Sequence, residues 1–196
     1  MLNRFRTYFK RFITPIALAI AKYEINPNIL TLSGFSISLL TPILSMKYSF
    51  PGFLIGLLLS SFFDVLDGEV ARVSGRVSGF GAFLDSTCDR ISDAIYIYSL
   101  SFLGLDLNIV IILIVLSLMI SYTRARAESL GVKIEGIGLM ERGERIIYLA
   151  LISILGIFSR ELMIIGAYIM IILTLYTFIE RVVHVSQSMR KVSRDR

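Results

Sequence analysis

Apolar residues run through the chain in long stretches, separated by short clusters of charge, glycine and proline. Six stretches stand out, at about residues 29–46, 51–72, 80–104, 108–128, 144–158 and 161–184. Each comes near the roughly 20 residues that a helix needs to cross a bilayer, and the fifth is short of it. The region before them has a different texture. Arg4, Arg6, Lys10, Arg11 and Lys22 are mixed with Phe5, Phe9, Phe12 and Ile16 in a helix-length segment too short to span. That mixture predicts an amphipathic helix lying in the membrane interface, an ordinary surface helix being the plainer alternative. Asn26-Pro27-Asn28 then breaks the chain before the first stretch. No repeat, low-complexity tract or linker interrupts the pattern. The expected fold is an all-α integral membrane bundle of six transmembrane helices forming one domain over residues 1–196. Within it lie a juxtamembrane helix (1–25), the six-helix bundle (26–185) and a basic cytoplasmic tail (186–196).

Composition sharpens this picture. The 196 residues are 55% hydrophobic, with a mean hydropathy of +0.75 that a soluble domain of this size would rarely show. The net charge of +5 is modest, and Lys and Arg gather beside the apolar runs. Such placement suits anionic lipid and membrane orientation, and no nucleic-acid partner is expected. The single cysteine, Cys88, excludes an intrachain disulfide, and no Cys/His cluster could hold zinc. The basic N-terminus meets no convincing cleavage site, so no signal peptide is expected. One set of connections carries Arg72 and Arg76, then Arg124, Arg126, Lys133, Arg142 and Arg145, then the tail with Arg190, Lys191, Arg194 and Arg196. The opposite set carries only Lys47, Asp106, Arg160 and Glu161. The positive-inside rule therefore puts both termini and the 126–143 connection in the cytoplasm.

Four aspartates lie in or beside apolar helices: Asp64 and Asp67 at the end of the second stretch, Asp85 and Asp89 at the start of the third. A charge at the centre of a bilayer costs roughly 2.5–3.5 kcal/mol on insertion scales. Helical spacing suggests the compensation. Asp64 and Asp67 are i,i+3 and share a face, as do Asp85 and Asp89 at i,i+4. A short turn makes the two helices antiparallel neighbours, so the faces can converge into a nest of carboxylates. Such a nest needs cations to stay ionised. Hard oxygen donors without Cys or His favour Mg²⁺ or Mn²⁺. Two ions about 3.5–4 Å apart would suit displacement at phosphorus. Gly68 follows Asp67, and Gly81 precedes Asp85 by one turn, leaving room for a phosphate or nucleotide near the backbone. Arg72 could meet a diphosphate bidentately. The structural alternative pairs these carboxylates with Arg72, Arg76 and Arg90.

In order, Asp64, Asp67, Gly68, Ala71, Arg72, Gly81, Asp85 and Asp89 read D-x2-D-G-x2-A-R-x8-G-x3-D-x3-D over 26 residues. This motif resembles, without departure, that of the CDP-alcohol phosphotransferases, and the six-span layout and amphipathic N-terminus resemble that family too. The resemblance implies that Asp64, Asp67, Asp85 and Asp89 hold two divalent metals, Mg²⁺ or Mn²⁺, that bind a CDP diphosphate. It implies that Asp89 is the general base that deprotonates an acceptor hydroxyl. It places Gly68, Arg72 and Ser78 along the CDP moiety. Pro27, Asn28 and Thr31 resemble the family's PN-x2-T element beside the nucleotide, although Pro-Asn before a span is by itself an ordinary helix start. The implied products are a phospholipid and CMP, the implied donor is CDP-diacylglycerol or CDP-archaeol, and the family commonly forms homodimers.

The acceptor clue is a second basic constellation. Tyr122, Arg124, Ala125, Arg126, Ala127 and Glu128 close the fourth stretch, Glu141, Arg142, Glu144 and Arg145 open the fifth, and Arg181 lies near the end of the sixth. Several guanidinium groups at one membrane face suit a phosphorylated alcohol better than a neutral one. The pattern resembles the family's phosphatidylinositol-phosphate and archaetidylinositol-phosphate synthase subgroup. There, positions matching Arg124, Arg126, Arg142 and Arg181 surround the phosphate of inositol 1-phosphate. Positive-inside anchoring is the competing explanation, and glycerol 3-phosphate the competing acceptor. His184 reads as an interfacial histidine and Cys88 as a small packing residue. For Glu69 and Asp93 two readings stand open, support of the metal ligands or exposure to water. From another class, a divalent-metal transporter would also place carboxylates in the membrane, but it needs them distributed across the bilayer rather than gathered at one face.

Overall fold

The computed structural model describes the backbone at residues 2–134 and 136–194 and the side chains at 12–134 and 136–190. The side chains of Arg4, Phe5, Arg6, Phe9, Lys10 and Arg11 lie outside that range, as do those of Lys191, Arg194 and Arg196. Among the described residues the chain is all helical: α1 (Leu2–Ala21), α2 (Pro27–Val73), α3 (Gly79–Ser99), a 3₁₀ turn (Leu100–Leu103), α4 (Leu107–Ser129), α5 (Arg142–Phe158) and α6 (Arg160–Arg194).

The first two apolar stretches both fall within α2, which is a hairpin. Ser49 leaves helical geometry at φ 53° and ψ −140°. Pro51 follows closely, where proline disfavours helix in the residue before it and suits the first turn of the next. The arms, 27–48 and 50–73, lie against each other with glycine at the contacts. Gly56 faces Thr41, Gly34 faces Phe63 and Ser60, and a side chain at Gly52 would overlap the Leu44 carbonyl oxygen. Ser60 Oγ donates to the Gly34 carbonyl at 2.6 Å across this seam. Small residues let helix backbones approach closely, which is how helices pack where lipid weakens the hydrophobic drive between them. Gly52→Ala is therefore expected to destabilise the fold by roughly 1–3 kcal/mol, read as a lower midpoint of thermal unfolding in detergent. An unchanged midpoint would show that the seam can open without cost.

Three of the site-bearing helices have a start that the sequence supplies. Asn26 caps α2, its Oδ1 accepting from the Asn28 N–H at 3.0 Å, with Pro27 in the first turn. Ser78 caps α3, its Oγ accepting from the Gly81 N–H at 3.0 Å. Asp106 caps α4 through the Asn108 N–H at 2.8 Å. These bonds satisfy N–H groups that a helix start leaves without partners.

The main core joins the second arm of α2 to α3, α4, α5 and α6 through Phe53, Leu57, Tyr96, Leu113, Leu149 and Met170. A smaller cluster seats α1 on α2, with Ile13 and Ala17 against Leu30, Leu66 and Val70. Two buried hydroxyl contacts fix the register of α3. Ser92 Oγ donates to Ser38 Oγ at 2.8 Å, and the Tyr96 hydroxyl to Ser60 Oγ at 2.6 Å. That register brings the acidic start of α3 to the acidic end of α2.

Among the described residues, three helices are long and apolar enough to cross a membrane: Pro27–Val73, Leu107–Ser129 and Arg160–Arg190. The third and fifth stretches also form helices. However, α3 carries Asp85, Asp89, Arg90 and Asp93, and α5 has 17 residues. The outer faces expose Ile43, Ile55, Ile111, Ile147 and Ile172.

The connection between α4 and α5 is tied to α6. Thr177 Oγ1 accepts from the N–H groups of Leu139 and Met140, each at 3.1 Å. Gly138, at φ +102°, sits against the Thr177 side chain, where any other residue would overlap it.

Candidate active site

Asp64 from α2 and Asp85 and Asp89 from α3 converge, with one carboxylate oxygen of each within 4.8 Å of the others. Asp67, one turn after Asp64, is only 4% exposed. Its Oδ2 is buried with no hydrogen-bond partner. Buried acceptors without partners are rare and costly, so an orphan beside three convergent carboxylates marks a place for a cation. All the donors are hard oxygens, and the set fits Mg²⁺ or Mn²⁺.

The arginines suggested as structural partners go elsewhere. Arg72 pairs with Glu69 at 2.7 Å. Arg76 donates to the Glu24 carbonyl at 2.6 Å, and Arg90 donates to the Ser86 carbonyl. The guanidinium that meets the nest is Arg142, at the start of α5. Its Nη1 lies 2.7 Å from Asp64 Oδ2, its Nη2 2.8 Å from Asp89 Oδ1 and its Nε 3.4 Å from Asp93 Oδ1. One side chain thus ties α5 to both carboxylate-bearing helices.

Two cavities open on the nest, and Asp85 lines both. The smaller, of about 340 Å³, contains every residue that sequence placed along a CDP moiety: Pro27, Asn28, Thr31, Gly68, Arg72 and Ser78. Asp67 and Gly81 line it as well. A Cβ at Gly81 would stand 3.0 Å from Ser78 Oγ and 3.2 Å from Asn28 Oδ1, so glycine keeps the cavity floor open. Gly68 leaves room for the Arg72 guanidinium, whose Nη1 would be 3.4 Å from a Cβ there. Glu69, which the sequence left open, is 8% exposed. It takes Arg72 on one oxygen and Thr14 of α1, at 2.9 Å, on the other.

The larger cavity, of about 530 Å³, is lined by Asp89, Arg90, Arg124, Arg142, Arg145 and Arg181 among others. Of the four arginines singled out in the sequence, three are gathered here. Arg126 is not: it is exposed and reaches only Ser129 Oγ at 3.5 Å. Arg124 keeps an ion pair with Glu128 at 3.0 Å on the cavity wall. Arg181 is 2% exposed. Its donors go to the Ile137 carbonyl at 2.9 Å, the Ile120 carbonyl at 2.8 Å and Glu141 at 3.3 Å, so it also holds the α4–α5 connection in place. Sequence reasoning counted Arg145 in the basic constellation but left it out of the four phosphate-facing arginines, and it lines this cavity too. The signal was its i,i+3 spacing from Arg142, which puts both on one face of α5.

Fold and site together define a class: an all-helical protein with membrane-capable helices that opens two cavities onto one carboxylate centre. That is the arrangement a group-transfer enzyme needs, with donor and acceptor meeting at a shared ionic site. The chain belongs to the CDP-alcohol phosphatidyltransferase family, whose family model matches residues 24–185, and it is a transferase. It is 36% identical over 193 residues to archaetidylinositol phosphate synthase of Aeropyrum pernix, covering 97% of this chain and 99% of the relative. To the protein of the same name in Methanothermobacter thermautotrophicus it is 40% identical over 195 residues, with 97% and 96% covered. The crystal structure of Mycobacterium tuberculosis phosphatidylinositol phosphate synthase with CDP-DAG bound superposes with a TM-score of 0.75 at 29% identity, covering 89% of this chain and 94% of that one. The same enzyme in complex with manganese and citrate gives a TM-score of 0.74 at 31% identity, with 88% of each chain covered.

Proposed function

We propose that this chain transfers the lipid phosphate group of CDP-diacylglycerol or CDP-archaeol to inositol 1-phosphate, releasing CMP. The observation that carries the proposal is the meeting of the two cavities at Asp85, one lined by every residue expected along the CDP moiety and the other by arginines. Relatives named as archaetidylinositol and phosphatidylinositol phosphate synthases support the acceptor, and the CDP-DAG complex supports the donor.

Asp64, Asp67, Asp85 and Asp89 would hold the metal as a pair of ions. Bound there, Mg²⁺ or Mn²⁺ supplies charge neutralisation for the diphosphate and for the departing CMP. The protein does the rest by placement. Pro27, Asn28, Thr31, Gly68, Arg72 and Ser78 hold the CDP portion so that its β-phosphorus faces the larger cavity. The arginine-lined wall, with Arg124 and Arg142 foremost, orients the doubly charged acceptor. Asp89 accepts the proton of the attacking hydroxyl, the new P–O bond forms at the β-phosphorus, and the bond to CMP breaks. Positioning and charge stabilisation carry most of the catalysis in such transfers.

The same proposal places the chain in the cell membrane as one domain with six spans, α2 contributing two. Both termini and the active site face the cytoplasm, α1 lies in the interface, and two copies associate as a homodimer. The exposed isoleucines on outer helix faces support the spans, and the clustering of Arg at the carboxylate end supports the orientation. The interfacial place of α1 is supported by Phe12 on the helix and Tyr23 just after it, 73% and 81% exposed.

The arginines offer the test. A charge-assisted contact to a phosphate contributes roughly 1.5–3 kcal/mol, so Arg124→Ala should raise the KM for inositol 1-phosphate by about one to two orders of magnitude. Arg126→Ala, on another face, should change it by less than about twofold. Arg142→Ala should disturb donor and acceptor together, because Arg142 also holds Asp64 and Asp89. Steady-state kinetics with each substrate varied in turn reads all three. An unchanged acceptor KM in Arg124→Ala would make these arginines orientation charges and nothing more.

A further inference from the structure

Asp93 lies one turn beyond Asp89 on α3, outside the family motif, and is 4% exposed. Asp85, Asp89 and Asp93 follow one another at i, i+4 and i+8, so all three share a helix face. Their partners differ. Asp85 and Asp89 belong to the convergent carboxylates, whereas Asp93 does not. Both of its oxygens face guanidinium groups. Oδ2 accepts from Arg145 Nη2 at 2.6 Å, and Oδ1 stands 3.4 Å from Arg142 Nε, an ionic contact without hydrogen-bond alignment. Arg145 is itself 2% exposed, and apart from Asp93 its recorded contact is the Met140 carbonyl, 3.1 Å from Nη1.

A charge buried this deeply needs a partner, and each of these ions is compensated chiefly by the other. Arg142 is held from two sides. Asp64 and Asp89 draw its Nη groups toward the nest, while Asp93 draws its Nε back along α3. The balance keeps the guanidinium on the wall between the nest and the larger cavity. We propose that Asp93 is a positioning residue: it seats Arg142 and Arg145 on the wall of the larger cavity and thereby sets the affinity for the acceptor's phosphate. This rests on the acceptor site proposed above. Without the rear carboxylate, Arg142 keeps its contacts to Asp64 and Asp89 but loses the one that draws it back along α3, and Arg145 loses the anion that fixes its direction. The smaller cavity does not include Asp93, Arg142 or Arg145, so donor binding stays outside the effect.

The test is Asp93→Asn, which keeps the shape and removes the charge. Its KM for inositol 1-phosphate should rise by about tenfold or more, while the KM for CDP-lipid stays within about twofold. Because Asp93→Asn leaves Arg145 as an unpaired buried charge, the double variant Asp93→Asn/Arg145→Gln is made beside it. Neutralising both members of a buried pair commonly restores stability. A positioning role predicts a restored thermal midpoint with the acceptor KM still high. Recovery of both together shows a purely structural pair and overturns the inference, as does an acceptor KM within twofold of the parent in Asp93→Asn. A parallel rise in donor KM overturns it too. The same comparison is run with glycerol 3-phosphate. A parent that uses only glycerol 3-phosphate refutes inositol 1-phosphate as acceptor while Asp93 is judged on the alcohol used. A parent that uses neither refutes both readings.

Discussion

Asp85→Asn should lower turnover by about 10²–10³-fold or more, the scale of losing one charge-stabilising group at a reacting centre. Asp85 is the carboxylate that lines both cavities, and it contributes an oxygen to the convergent three. Asp67→Asn should be as damaging to activity, but its effect on stability should run the other way. Asp67 is buried with an oxygen that nothing in the protein satisfies, and a buried carboxylate left in that state costs folding free energy. Replacing it with a neutral amide should leave the thermal midpoint of the metal-stripped protein unchanged or higher. Neither variant should disturb the bundle, because the register of α3 on α2 is fixed by Ser92 with Ser38 and Tyr96 with Ser60, contacts in which neither Asp85 nor Asp67 takes part. Chelation of the parent should abolish turnover, and added Mg²⁺ or Mn²⁺ should restore it. Activity that survives exhaustive chelation, or an Asp85→Asn variant retaining more than about a tenth of parental turnover, would refute the metal centre.

Asp89→Asn carries the second large effect. In the proposed reaction Asp89 is the general base that takes the proton of the acceptor hydroxyl, and losing such a base costs about 10²–10⁴-fold in rate. Its position separates this role from donor binding. Asp89 lines the larger cavity and not the smaller one. Asp89→Asn should therefore keep measurable affinity for CDP-lipid while transfer is lost, and Asp64→Asn, which removes a proposed metal ligand alone, should weaken donor binding. If donor affinity falls equally in both variants, Asp89 serves chiefly as a metal ligand and the base lies elsewhere.

Much of the site was legible because its signals are local. The helix stretches follow apolar runs, and the hairpin break at Ser49 follows from Pro51 just after it. The pairs Asp64/Asp67 and Asp85/Asp89 follow from helical spacing, and the smaller cavity is built almost wholly from one motif and two helix starts. The acceptor side was less legible because its geometry depends on how distant helices are rotated. Arg124 and Arg126 are two residues apart, about 200° around α4, so only one can face the cavity. Sequence offers no means of choosing until α4 is packed against α6. Arg142 meets Asp64 across 78 positions of chain, a contact that no spacing rule reaches. Arg181 was expected beside the acceptor phosphate, and its guanidinium is largely taken up by carbonyls of the segments it packs against. Asp93 could equally have faced water by its spacing; burial between two arginines settles its surroundings.

The most direct measurement is a product assay on the purified protein with a CDP-lipid, Mn²⁺ and one alcohol at a time, scored by CMP release and by mass spectrometry of the lipid formed. With inositol 1-phosphate, CMP and a lipid bearing an inositol phosphate headgroup should appear in equal amounts. Free inositol should be a poor acceptor, because it offers nothing to the arginine-lined wall. Faster transfer to glycerol 3-phosphate, equal use of free inositol, or CMP release with no alcohol present would contradict the proposed reaction.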